Sequence, residues 1–171
     1  MWQFRPETPA DITPISQVIT AAFSQPEEAL LVEKIRQSEN FIPELSIVAV
    51  ENQVILGHIL FSRIFLDTDQ TTLSVLALAP LAVTPKKQRQ GIGSQLVEIG
   101  LSKCRELNHT IVLVLGNPGF YHRFGFQTAS KFNLQPSLPF PDEPFMVIEL
   151  VDDALKSVNG IVRYPGYFGE V

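Results

Sequence analysis

Residues 81–94 read LAVTPKKQRQGIGS: an apolar strand end, a basic turn, then Gly91 and Gly93 one residue apart. The segment TPKKQRQ, residues 84–90, carries three cations and no acid. From Gly91 to about Leu107 the residues Ile92, Leu96, Gly100, Cys104 and Leu107 fall on one helical face, so the glycines open a helix. The first N–H groups of a helix lack intrahelical partners, and the helix dipole adds partial positive charge there. Glycine at 91 and 93 removes the Cβ atoms that would hold an anion off the main chain. The stretch reads as an anion site between a strand and a helix.

Three phosphate loops compete for it. A nucleotide triphosphatase loop places lysine after its second glycine, whereas Ser94 follows Gly93 here, so that template fails. A dinucleotide loop needs a third glycine where Leu96 stands, and it opens the first βαβ unit of a fold rather than following a run of strands. The pattern Gln/Arg-x-x-Gly-x-Gly/Ala fits Gln88-Arg89-Gln90-Gly91-Ile92-Gly93 at every position. Lys86, Lys87 and Arg89 stand ready for the remaining phosphate charge.

Working outward, the residues before the loop form a meander. LSIVAVE (45–51) and QVILGHILFSRIF (53–65) flank a turn at Asn52, and TTLSVLALAPLAV (71–83) follows a second turn at DTDQ. Pro80 cannot donate to a sheet ladder, so the third of these strands is expected to bulge or splay near residues 79–81. Upstream, WQFRP suits a short first strand. Helices are expected from Thr13-Pro14 and from Pro26, the second with an apolar face of Leu30, Leu31 and Ile35. Downstream, TIVLVL (110–115) and PFMVIEL (144–150) are strands, with one helical turn in the loop between them. The pattern predicts a single α+β or mixed-sheet domain over residues 1–150, and a tail at 151–171 that packs on the domain or on a partner subunit.

Composition narrows the partners. The chain has 171 residues and a net charge of −5, which disfavours nucleic acid and suits a small anionic ligand at the local basic patch. No apolar run approaches the roughly 20 residues of a membrane span, and the N-terminus lacks the features of a signal peptide. The expectation is a cytoplasmic protein with no membrane and no nucleic-acid partner. A single cysteine, Cys104, rules out an internal disulfide and a cysteine metal cluster, and its helical position marks it as core; no metal is expected.

PLAVTPKKQRQGIGSQLV (80–97), GNPGFYHRFGF (116–126) and the N-terminal FRPETPADI together resemble the GNAT superfamily of acetyl-CoA-dependent N-acetyltransferases, over roughly residues 3–150. The likeness is greatest to bacterial members of the predicted N-acetyltransferase type. It implies a mixed, mostly antiparallel central sheet with a splayed middle strand and helices on both faces. It also implies acetyl-CoA as acetyl donor, with Leu81, Ala82, Val83, Gln88, Arg89, Gln90, Gly91, Ile92, Gly93, Ser94 and Asn117 around it. Tyr121 stands four residues before Gly125-Phe126, the family's spacing for a general-acid tyrosine.

With that donor, the splayed strand acquires a role. Its unpaired main-chain groups meet the pantetheine amides, and an N–H between Leu81 and Val83 polarises the thioester carbonyl. Attack by the primary amine of a small molecule or a protein is then direct. His58, on a central strand, and Glu44, before the preceding strand, are the candidates for a base. Arg163, Tyr164 and Tyr167 in the tail either line the acceptor pocket or pack structurally. The alternative from another class is a non-catalytic acyl-CoA-binding regulatory or interaction module. A homodimer and an acyl group other than acetyl both stay open.

Overall fold

A computed structural model describes residues 1–170. Its centre is a nine-stranded sheet in the order β1-β2-β3-β4-β5-β8-β6, with β9 joined to β3 and β7 joined to β9. The strands are β1 (Gln3–Pro6), β2 (Ser46–Glu51), β3 (Val54–Asp67), β4 (Thr72–Val83), β5 (Ile111–Leu115), β6 (Gln127–Thr128), β7 (Leu134–Pro136), β8 (Phe145–Glu149) and β9 (Gly160–Arg163). Helices α1 (Ile12–Phe23) and α2 (Glu27–Arg36) cover one face, and α3 (Ile92–Glu106) covers the other. A single turn of helix, α4 (Pro118–Tyr121), follows β5. All strand pairs are antiparallel except β4–β5 and β7–β9, as a mixed, mostly antiparallel sheet requires.

Local chemistry explains the framework. Asn52 and Gln53 both take left-handed φ values, 51° and 65°, the geometry of a two-residue hairpin turn matched to strand twist. At the N-terminus the Asp11 carboxylate accepts from the Thr8 amide at 2.7 Å and from Arg5 at 2.6 Å. These bonds start the helical region with a short turn at Pro9–Asp11, so α1 begins at Ile12 rather than at Thr13. The Arg5 bond is the main reason that Asp11 titrates down at about 2. In α2 the buried stripe is Ala29, Leu31, Val32 and Ile35, while Leu30 is 51% exposed and lies off it.

The interrupted strand lies at the middle of the sheet. Ile59 pairs with Leu81 and Phe61 with Leu78, so Ala79 and Pro80 together oppose Leu60 alone. On its other side β4 pairs with β5 only at Leu76, Ala77 and Leu78. Beyond Leu78 the two strands separate, and the β5-facing edge of Ala79–Val83 has no strand partner. β5 meanwhile stays paired to β8 through Leu115–Phe145. The opening thus lies on one edge of β4, with the β3–β4 and β5–β8 pairs on either side intact.

The tail belongs to the sheet. β9 pairs with Phe65–Asp67 of β3 and with β7, strands that apolar patterning alone left unseen. Arg163 forms an ion pair with Asp67 at 2.8 Å, Tyr167 accepts from Asn40 at 3.1 Å, and the Tyr164 ring meets Phe140 and Phe168.

Candidate active site

The C-terminal end of β4, the basic turn and the start of α3 form a cleft of about 450 Å³. The turn contributes Lys87, Gln88 and Arg89, and the helix start contributes Gly91 to Ser94. Val83 closes the strand side, and Phe120 and Arg123 come from the segment after β5. Gln88 donates its side-chain amide to the Val83 carbonyl at 3.0 Å, which ties the turn to the strand end. No side chain caps α3. The N–H groups of its first turn therefore face the cleft unshared with a capping group.

The two glycines differ in what they do. Gly91 caps the helix at φ 96°, a left-handed conformation that strains any residue with a Cβ. Gly93 is helical, and a Cβ there would meet only Val83, Leu81 and Phe120 at 3.8–3.9 Å, ordinary contacts. The fold does not require glycine at 93. What a side chain there would fill is the cleft.

Tyr121 ends α4, packed edge-on against Phe120 and Phe126 with ring centroids 4.9 and 5.6 Å apart. Asn117 caps α4 by accepting from the Gly119 amide at 2.8 Å. Gly116, the residue after β5, lets the ring lie against the backbone, where any Cβ would collide with it. Burial pushes the Tyr121 phenol up to about 12. Its hydroxyl has no hydrogen-bond partner among the described residues.

Several expected site residues lie elsewhere. Ala82 alternates to the opposite face of β4 and is buried under α1 and α2; Leu81 and Val83 keep the cleft side. Gln90 is exposed and outside the cleft lining, as is Asn117, whose oxygen accepts the cap bond of α4. Glu44 is exposed and lines a separate groove with Glu98, Ser102, Lys103 and Glu106, towards the far end of α3. That position corrects its candidacy as the base. β9 joins β3 at Phe65–Asp67, the opposite end from the Gly57–Val83 pair beside the cleft, so Arg163 does not line an acceptor pocket there. Phe120 and Arg123 are the cleft residues that sequence patterning missed; their spacing from Tyr121 was a usable signal only once the turn at α4 was known.

His58 requires a second correction. It is fully buried on the α1/α2 face of β3, opposite Ala82. Its Nε2 lies 2.8 Å from the Ser46 hydroxyl, which in turn bonds Glu7. Arg36 holds Glu7 through two bonds of 2.9 and 3.0 Å. An ionised carboxylate only accepts, so Ser46 donates to Glu7 and accepts from His58, which places the imidazole proton on Nε2. Burial first, and the Arg36 charge second, pull the imidazole down to about 3. A base so weak and so enclosed takes no proton from an incoming ammonium. His58 is a neutral structural donor.

Comparison with known proteins agrees with this geometry. Residues 3–129 match the Acetyltransferase (GNAT) domain family, and the chain belongs to it. Among particular relatives, it is 35% identical to the uncharacterized N-acetyltransferase YhbS of Escherichia coli K12, over 96% of each chain. It is 34% identical to YjhQ of the same organism over 78% of this chain and 75% of that one. The crystal structure of E. coli YhbS in complex with CoA superposes with a TM-score of 0.91 at 33% identity, covering 98% of this chain and 92% of that one. A GNAT acetyltransferase from Brucella melitensis in complex with acetyl-CoA gives 0.80 at 28% identity, covering 98% of both. Among the described residues no helix is long and apolar enough to cross a membrane, and no cluster of His, Cys, Asp and Glu could hold a metal ion.

The state of His58 has a measurable consequence. Its folded pKa of about 3 lies below the unfolded value of 6.5. Above pH 6.5 both states are neutral and its contribution is complete. Below pH 6.5 the unfolded chain gains a proton that the native state refuses, so stability falls by about 1.4 kcal/mol per pH unit. Urea melts from pH 7 to 5 should show this slope in the wild type and a shallower one in His58→Gln. Parallel slopes would place the proton elsewhere.

Proposed function

We propose that the chain transfers an acetyl group from acetyl-CoA to a primary amine by direct attack. The observation that carries this reading is one cleft that joins an uncapped helix N-terminus to the end of a strand edge without a partner, with the buried Tyr121 ring packed against Phe120 of its lining. The bound CoA and acetyl-CoA of the E. coli and Brucella relatives support the same donor.

The pyrophosphate lies against the N–H groups of Ile92, Gly93 and Ser94, where the dipole of α3 and the charges of Lys87 and Arg89 favour it. The pantetheine arm runs into the gap between β4 and β5 and pairs its amides with the free edge of Ala79–Val83. This places the thioester near Leu81–Val83, where a main-chain N–H polarises the carbonyl as negative charge builds on its oxygen.

The amine nitrogen bonds to the carbonyl carbon, the tetrahedral intermediate collapses, the carbon–sulfur bond breaks and CoA leaves with the electron pair. Tyr121 faces the leaving sulfur as proton donor. Its pKa of about 12 keeps it protonated through the whole working range. A CoA thiol has a pKa of roughly 8.5, so complete transfer from Tyr121 is uphill. Its contribution is the hydrogen bond that stabilises the nascent thiolate. The proton that completes the thiol comes from the attacking nitrogen, which must shed one to become an amide. No side chain is assigned as base, so the amine enters as its neutral form and the rate rises with pH as the acceptor deprotonates.

Two substitutions divide binding from chemistry. Gly93→Leu should leave the fold intact, since the site has room and leucine favours helix over glycine by about 0.8 kcal/mol. It should weaken acetyl-CoA binding at least about tenfold by filling the cradle. Calorimetry and a thermal melt check both halves, and unchanged affinity would remove the donor from this cleft. Tyr121→Phe should lower kcat about a hundredfold with little change in the KM for acetyl-CoA. Free thiol released from a panel of small amines and peptides measures it, and equal turnover would end the role of the hydroxyl.

A further inference from the structure

Arg123 is a solvent-exposed cation held beside the start of α3. Its Nη2 donates to the Ser94 hydroxyl at 2.8 Å, within the first turn of α3. The guanidinium carbon sits 5.3 Å from the ring centroids of both Phe120 and Phe124, and those rings pack edge-on 5.2 Å apart. Two aromatic faces and a hydroxyl thus fix a cation at the positive end of a helix, where the macrodipole disfavours it. No carboxylate offsets it: among the described residues Arg123 is in no ion pair, and Asp and Glu are absent from the cleft lining. Lys87 and Arg89 of the basic turn also line the cleft, Lys87 at 3.8 Å from the Glu51 carboxylate. An arrangement of this kind is relieved by an anion that bonds the guanidinium from the cleft side.

We propose that Arg123 binds the 3′-phosphate of the donor and makes the site selective for CoA over donors lacking that group. This assignment rests on the acetyl-CoA reading given above. Charge and position both favour it. The diphosphate has the main-chain amides of the helix start and the cations of the basic turn. CoA carries a second anionic group on its ribose, and a diphosphate cradle does not satisfy it. Arg123 reaches the cleft from the segment after β5, a different segment from the basic turn. Its remaining N–H donors form a planar fork that matches two phosphate oxygens. Phe120 and Phe124 hold that fork in place before ligand arrives, so little side-chain entropy is lost on binding.

The test is a cycle of two proteins and two ligands, wild type and Arg123→Gln against CoA and 3′-dephospho-CoA, measured by calorimetry. Wild type should bind CoA about tenfold or more tightly than the dephospho form, as for a charge-assisted pair. Arg123→Gln should lose most of that preference while binding 3′-dephospho-CoA as the wild type does. Arg123→Lys should restore part of the preference, because it keeps the charge and loses the fork. If both proteins discriminate equally, the 3′-phosphate is read elsewhere and the assignment falls while the donor reading stands. If Arg123→Gln weakens both ligands equally, Arg123 serves the diphosphate or the fold of the loop, and the assignment again falls. Wild type that binds neither ligand overturns the donor reading and the assignment together.

Discussion

Everything in the site depends on β4 and β5 parting after three paired residues. Leu76–Leu78 hold β5 in parallel register, and Ala79–Pro80 then form a bulge against β3. The cost is a row of main-chain groups with no strand partner, in the middle of a sheet where such groups are normally paired. The sheet survives because each strand is anchored on its other side, β4 to β3 and β5 to β8. The gap is accordingly a fixed part of the fold, and it ends at the turn that leads into α3.

Around that gap the chain concentrates features that make sense only with a ligand. The first turn of α3 is uncapped, Gly93 leaves space that no neighbour needs, and the basic turn faces a helix end that is itself positive. Each is mildly unfavourable or neutral to the empty protein. A polyphosphate bearing an acyl thioester answers all three. The interior chemistry runs the opposite way: His58 Nε2, Ser46, Glu7 and Arg36 form a chain of donors and acceptors, and burial leaves His58 neutral and out of reach. The two groups lie on opposite faces of the sheet, and His58 is fully buried on its own face.

The sequence made the framework legible where local rules are strong. The hairpin at Asn52, the proline bulge, the helix opened by Gly91 and the buried strand 110–115 all rest on short-range chemistry, and the structure has each of them. Tertiary pairing was hidden. β7 and β9 are three and four residues long and gain their order from each other and from β3, so no periodicity marks them. In the site, the loop was readable because glycine and charge carry its mechanism. The base was not, because His58 looks the same in sequence whether it faces a cleft or a core. Arg123 escaped notice for a related reason: its significance comes from Ser94, 29 residues away, and from rings placed by a helix of a single turn.

The central claim is that the donor occupies the helix start and the open edge of β4 together. Backbone amide shifts of the purified chain, recorded by NMR as acetyl-CoA is added, test it most directly. Saturable changes are expected at Ile92–Ser94 and at Ala79 and Leu81–Val83, with the amides of α1 and α2 unaffected. Saturable binding that leaves both segments unmoved and shifts amides elsewhere would contradict it.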